Sequence, residues 1–250
     1  MLSKSAATGR SRVELSQPIA LTSYADEIAF RLEAEILDGA YEPGSHLMQE
    51  EICARFGVSR TPVREALRKL QAQKLVDLVP NKGARIRVIT LSELGELYAV
   101  RAELEGYAAS LAADAFSVTH AATLEPIQAR LEEVVATLRL PVDRRVADSL
   151  INEQVTRYNE EFHGVIREVA GNRLLNDMIW DLQRRFPKDY VWKTIESSEQ
   201  IKAINVTEHR RILRALKRND AETARTAMTA HVRHAGSILL GYLHEHGAAT

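Results

Sequence analysis

Phe56-Gly57-Val58-Ser59-Arg60-Thr61-Pro62-Val63-Arg64-Glu65-Ala66-Leu67 is the stretch whose reading decides the fold of the N-terminal part of this chain. Gly57 stops a short helix that starts near Met48 and carries Ile52, Cys53 and Phe56 on its apolar side. Ser59 or Thr61 caps the next helix, and Pro62 fits its first turn, where a missing N–H has no partner to lose. Val63, Ala66, Leu67 and Leu70 predict its buried stripe. Arg60, Arg64 and Arg68, at i, i+4 and i+8, share another face. An apolar back, an arginine front and a glycine turn to a short preceding helix are what a reader of the DNA major groove requires.

Upstream, Ser23 and Asp26 form a capping signal, and Ala25, Ile28, Ala29, Leu32 and Ile36 recur at helical spacing up to Gly39. Glu42-Pro43-Gly44 makes a turn. Residues 1–20 show no periodicity, and the expectation is a disordered tail with Lys4, Arg10 and Arg12 as scattered cations. Downstream, Val76 and Leu78, then Ile86 and Val88, alternate with polar neighbours around Pro80-Asn81-Lys82-Gly83. That predicts a hairpin wing with a basic tip, Arg85 and Arg87 facing outward. From Leu91 the pattern is helical, with expected helices at 92–115, 119–139, 144–169, 172–186, 197–217 and 219–245. Breaks fall at Leu140-Pro141-Val142-Asp143 and Ala170-Gly171-Asn172. The predicted class is mainly α: a winged helix-turn-helix over 21–88, a joint at 89–92, and an all-α bundle of about six helices over 93–245.

Composition narrows the function classes. Of 250 residues, 45% are hydrophobic and 27% charged, an ordinary globular balance. A single cysteine, Cys53, excludes an intrachain disulfide and reads as a small buried hydrophobe. No run of 18 apolar residues exists to span a membrane, and the first ten residues lack the apolar segment of a secretory signal, so a cytoplasmic location is expected. The net charge of −1 hides an asymmetry: between Arg55 and Arg87 lie nine cationic side chains against only Glu65 and Asp77. Such a block on a near-neutral chain implies one face for a polyanion and a different task elsewhere.

The run Pro43-Gly44-Ser45-His46-Leu47, continued by Phe56 to Leu67, closely resembles the DNA-binding domain of the GntR family. The second half resembles the FCD effector domain of its FadR subfamily, through Arg101-x-x-Leu104-Glu105, Asn159-x-x-Phe162-His163, Gly171-Asn172, Glu208-His209 and Met228-x-x-His231. Together the two resemblances cover about residues 21–245. They imply that Arg60, Thr61, Arg64 and Arg68 contact operator DNA, with Lys82 and Gly83 in the wing tip. Where some relatives carry an arginine on the second helix, this chain has Glu50. They also imply a homodimer on a two-fold site, a small organic acid as effector, and a divalent metal (zinc, nickel or manganese) held by Asn159, His163, His209 and His231. Spacing is consistent with that set, since Asn159 and His163 sit one helical turn apart.

Arg101 has two readings: a fork for a ligand carboxylate, or a surface ion pair with Glu105 at i+4. Asn205 is a further effector candidate. Trp180 and Trp192 read as packing residues, and His46, His120, His234, His244 and His246 as structural or solvated. The reading is a regulator with no catalytic residues. Its alternatives are a regulator for which the metal itself is the signal, and a metal-dependent hydrolase.

Overall fold

The first helix, α1 (Tyr24–Leu37), opens on a complete capping box: Ser23 Oγ accepts from the Asp26 N–H at 3.2 Å while the Asp26 carboxylate accepts from the Ser23 N–H at 3.2 Å. The computed structural model describes residues 23–80, 82–137, 147–185 and 198–245, without the side chains of 147–152, 198 and 199. The expected tail with Lys4, Arg10 and Arg12, Asn81, the Leu140–Asp143 break, Trp192 and His246 lie outside the described residues.

After α1 come β1 (His46–Met48), α2 (Gln49–Phe56), α3 (Arg60–Ala72), β2 (Val76–Val79) and β3 (Gly83–Ile86). The sheet runs β1-β3-β2 with both pairings antiparallel. The wing therefore has three strands where the sequence indicated two. His46-Leu47-Met48 is too short to show a period of two and is recognised only by its pairing with Arg85, Ala84 and Gly83. Gly57 ends α2 with φ 65°, a left-handed conformation that glycine adopts without steric cost. The apolar faces of α1 and α3 close over the sheet, burying Ile28, Leu32, Val63, Leu67 and Leu70 with Leu47, Val76 and Ile86.

Thr90 and Glu93 form a second capping box, which starts α4 (Leu91–Ala115) at the end of the wing. There follow α5 (Val118–Thr137), α6 (Ala147–Val169), α7 (Arg173–Gln183), the short α8 (Ser198–Lys202), a π-helical segment (Ala203–Glu208), α9 (His209–Lys217) and α10 (Ala221–Glu245). Their boundaries lie within a few residues of those expected. The exception is the helix expected at 197–217, which the π segment interrupts. Helices α4 and α10 pack along their lengths. Gly236 permits the approach, since a Cβ there would lie 2.7 Å from the Tyr98 ring. A second apolar core, built around Leu94, Ala109, Leu124, Phe162, Ile204, Ile212 and Met228, fills the bundle. No described helix is long and apolar enough to cross a membrane.

Ion pairs among the described residues join the halves. Arg87, at the end of the wing, bonds Glu93 in the first turn of α4. Arg184, at the C-cap of α7, bonds Glu33 on α1.

Candidate metal centre, adjoining cavity and nucleic-acid face

Three helices bring three imidazoles together. His163 comes from α6, His209 opens α9 after the π segment, and His231 sits midway along α10. All three are buried, and one ring nitrogen of each lies within 4.8 Å of the others. Each ring's opposite nitrogen has an outer partner. His163 Nδ1 lies 2.9 Å from Glu105 Oε2, His231 Nδ1 lies 2.9 Å from Glu208 Oε2, and His209 Nδ1 lies 3.1 Å from Gln128 Oε1. Carboxylate and amide oxygens accept only, so each Nδ1 is placed to donate, and a neutral ring then keeps its lone pair on Nε2.

The Gln128 amide is itself oriented. Its Nε2 donates to the Asn205 carbonyl at 2.9 Å and to Glu132 Oε1 at 3.0 Å, which turns Oε1 toward His209. The ring of His209 also stacks on Phe162, with centroids 4.0 Å apart and planes 7° from parallel. Both the His209 Nε2 and the Asn159 Oδ1 are buried without a hydrogen-bond partner. Three buried imidazoles whose ring nitrogens converge, one of them with an unpartnered Nε2, form a donor set of the kind that can hold a divalent cation.

Burial disfavours protonation of two of the three rings. Burial pushes the His163 pKa down to about 4, against the attraction of Glu105. Burial also takes His209 well below the usual imidazole value. Glu105 is opposed by burial, but the Arg101 charge and the hydrogen bond to His163 outweigh it and hold its carboxyl below the ordinary range. Glu208 is likewise opposed by burial and held down by its bonds to His231 and His234.

Against His163 lies a cavity of about 280 Å³, lined by Arg101, Asn159, Arg167, Asn176 and Trp180 among others. Arg101 donates to Glu105 Oε1 from Nη2 at 2.9 Å and from Nε at 3.2 Å. The pair is buried, not superficial: the side chains are 17% and 2% exposed. Trp180 is no core packing residue, since it is 39% exposed and lines this cavity. Asn205 is fully buried in the π segment, with its Nδ2 donating to the Ile201 carbonyl at 3.0 Å, and is not among the cavity-lining residues. Gly171 and Asn172 serve the chain trace: Gly171 has φ 63°, and the Asn172 side chain caps α7 through the Leu175 N–H at 3.0 Å.

Sequence reasoning gave Gln128 and Arg167 no role here; it named Glu105 and Glu208 among the FCD marks, with Glu105 otherwise read as a surface partner of Arg101. Arg167 had a usable signal, because Asn159, His163 and Arg167 recur at i, i+4 and i+8 on α6. Gln128 had none, since its partner is 81 residues away. His234, read as structural or solvated, bonds Glu208 Oε1 at 2.6 Å and so braces the partner of His231.

In the N-terminal half, Arg60, Thr61, Arg64 and Arg68 are all exposed along α3, and Lys82 is exposed at the wing tip. Ser59 holds the N-cap position of α3, but its side chain makes no cap hydrogen bond. Gly83 is buried. A side chain there would collide with the Leu47 carbonyl and the Gln49 N–H, so this glycine allows β1 to approach β3. Glu50 of α2 accepts from Arg60 Nη2 at 2.9 Å, a pair whose side chains are 77% and 70% exposed.

Comparison with known proteins gives the following. Residues 24–86 match the family described as bacterial regulatory proteins, gntR family, and residues 96–234 match the FCD domain. The chain is 26% identical over 215 residues to the HTH-type transcriptional regulator YdhC of Bacillus subtilis (strain 168), covering 85% of this chain and 89% of that one. It is 25% identical over 201 residues to the gluconate operon transcriptional repressor of Bacillus licheniformis, covering 78% and 76%. Among solved structures it resembles McbR/YncC of E. coli, with a TM-score of 0.68 at 23% identity, covering 88% of this chain and 98% of that one.

Proposed function

The chain belongs to the gntR family of bacterial regulatory proteins with an FCD domain in its C-terminal half, and from that premise we propose a FadR-subfamily regulator that binds operator DNA and releases or engages it in response to a small organic acid. Residues 21–88 are the DNA-binding domain, 89–92 the joint, and 93–245 the effector and dimerisation domain. Members of this family are transcriptional regulators and not enzymes, which sets aside the hydrolase alternative.

Arg60, Thr61, Arg64 and Arg68 read the major groove from α3, and Lys82 approaches the backbone from the wing. His163, His209 and His231, with the Asn159 amide oxygen, hold a divalent ion of the zinc, nickel or manganese type. Bound there, it supplies positive charge beside the cavity and open positions for an anionic ligand. Arg101 adds a cation on the same wall. Asn205 acts through Gln128, whose amide its carbonyl orients. The gluconate operon repressor, named for an operon of a sugar acid, is consistent with an acidic effector. Two copies of the chain give the two-fold reader that operator half-sites require. The exposed Val100, Tyr107, Leu174 and Met178 on the packed helices α4 and α7 are apolar surface available to that contact. A cytoplasmic location follows from the same reading.

The observation that carries the effector half is the buried Nε2 atom of His209 left without a partner among convergent imidazoles. The test is a duplex library enriched on the full-length protein, followed by operator titration in three states: metal-stripped, zinc-loaded, and zinc-loaded with organic acids. A change in operator affinity only in the third state supports the proposal. A change on adding zinc alone makes the metal the signal. No response in any state overturns the effector reading.

A further inference from the structure

We propose that Arg167 makes the cavity beside the histidine cluster selective for small dicarboxylic acids, with one carboxylate toward the histidines and the other taken by the Arg167 guanidinium. The inference rests on reading that cavity as the effector site.

Two arginines line the cavity, and they differ in what answers their charge. Arg101 is matched by Glu105, whose second oxygen lies 2.9 Å from His163 Nδ1. Arg167 is only 8% exposed, and among the described residues no carboxylate lies within ion-pair distance of it. Its Nε donates to the Asn176 amide oxygen at 3.1 Å, and its plane lies 5.8 Å from the Trp180 ring. Those contacts fix the fork but leave Nη1 buried without an acceptor. Burial lowers the Arg167 pKa, against the attraction of Glu105, Glu160 and Glu168. A planar guanidinium held at one nitrogen and open at another presents a fork that a carboxylate fills.

Geometry gives the spacing. His163 and Arg167 are four residues apart on α6, so their backbones are separated by about 6 Å along the helix axis. That suits a diacid of about four to six carbons lying along the helix, with its ends at the two side chains. Other carboxylates restrict the alternatives. Glu160, Glu161 and Glu168 also line the cavity, and Glu161 is bonded to Arg157 at 2.9 Å. The Arg167 fork, with Nη1 lacking an acceptor, is the part of the wall where a second carboxylate is accepted.

The experiment is calorimetry on the full-length, zinc-loaded protein with two matched series: malonate, succinate, glutarate and adipate against propionate, butyrate, valerate and hexanoate. One diacid should bind at least tenfold more tightly than the monoacid of equal length. Arg167→Met should bring the diacid to the monoacid level and leave the monoacid unchanged, and Arg167→Lys should restore part of the preference. A wild type that binds no diacid, or binds both series equally, overturns the proposal. So does an Arg167→Met protein that keeps the preference or weakens both series by the same factor. If the methionine variant does not fold, Arg167→Gln provides the same comparison. Zinc content is read separately by atomic absorption: a protein that retains no zinc overturns the metal reading, and the diacid preference is then read in the same titrations without zinc.

Discussion

The Nε2 atoms of His163 and His231 lie 3.1 Å apart, while the Nδ1 of each ring faces a carboxylate. With both protons on Nδ1, two lone pairs face each other at hydrogen-bond distance, an arrangement relieved by a cation between them. The outer carboxylates orient the rings and raise their basicity as ligands. Glu208→Gln should therefore weaken metal binding by roughly 10- to 100-fold without touching a metal ligand. Competition with a chromophoric chelator measures it, and an unchanged affinity would show that His231 is not a ligand.

Asn159 supplies a neutral oxygen where a carboxylate would offset part of the ion's charge. Asn159→Asp should tighten metal binding and weaken a carboxylate ligand at the open positions, each by about tenfold for one unit of charge. Metal titration of stripped protein, then acid titration at saturating metal, separates the two effects. Opposite movements support Asn159 as a ligand. Two unchanged affinities remove it from the set.

The metal-stripped protein should lose stability as the pH is lowered from about 6.5 toward 4. The unfolded chain protonates at the ordinary imidazole value, whereas burial delays protonation of His163 in the fold to about 4. In that window the unfolded state binds more protons, so falling pH favours it. The contribution of His163 is fully present above about 6.5 and amounts to something on the order of 3 kcal/mol, lost by pH 4. Urea melts of wild type and His163→Gln across this range should converge as the pH falls. Parallel curves would refute the linkage.

On the DNA face, Glu50 draws Arg60 into an exposed ion pair and places a negative charge beside α3. Glu50→Gln should raise operator affinity several-fold, an effect that shrinks at high salt. Arg64→Ala should cost about 1–3 kcal/mol and relax preference at one base pair. Lys82→Ala should weaken all sequences alike and make the salt slope shallower. Gel-shift titrations at two salt concentrations decide each case.

Glu33 stands between the two halves. One oxygen accepts from Arg184 at the end of α7, and the other accepts from Gln73 Nε2 at 3.0 Å at the C-cap of α3. Helix α7 also carries Asn176 and Trp180 on the cavity wall. Glu33→Gln should reduce the change in operator affinity that an acid ligand causes, leaving ligand affinity for the DNA-free protein within about twofold. Retention of the full ligand effect would exclude this contact from the coupling.

The sequence by itself determined what local periodicity encodes. The arginine front and apolar back of α3 follow from residues three and four apart, the cap of α1 from Ser23, and the bundle helices from stripes longer than three turns. The order of the histidines was legible by resemblance, because motif spacing survives in a linear chain. Only the tertiary structure decided which nitrogen each ring presents, since that is set by Glu105, Gln128 and Glu208 reaching in from other helices or the preceding turn. It likewise turned Arg101 from a surface ion pair into a buried one, moved Trp180 to a cavity wall, and left Arg167 Nη1 buried without an acceptor. Burial and long-range hydrogen bonds arise where distant segments meet, and no period along the chain records them.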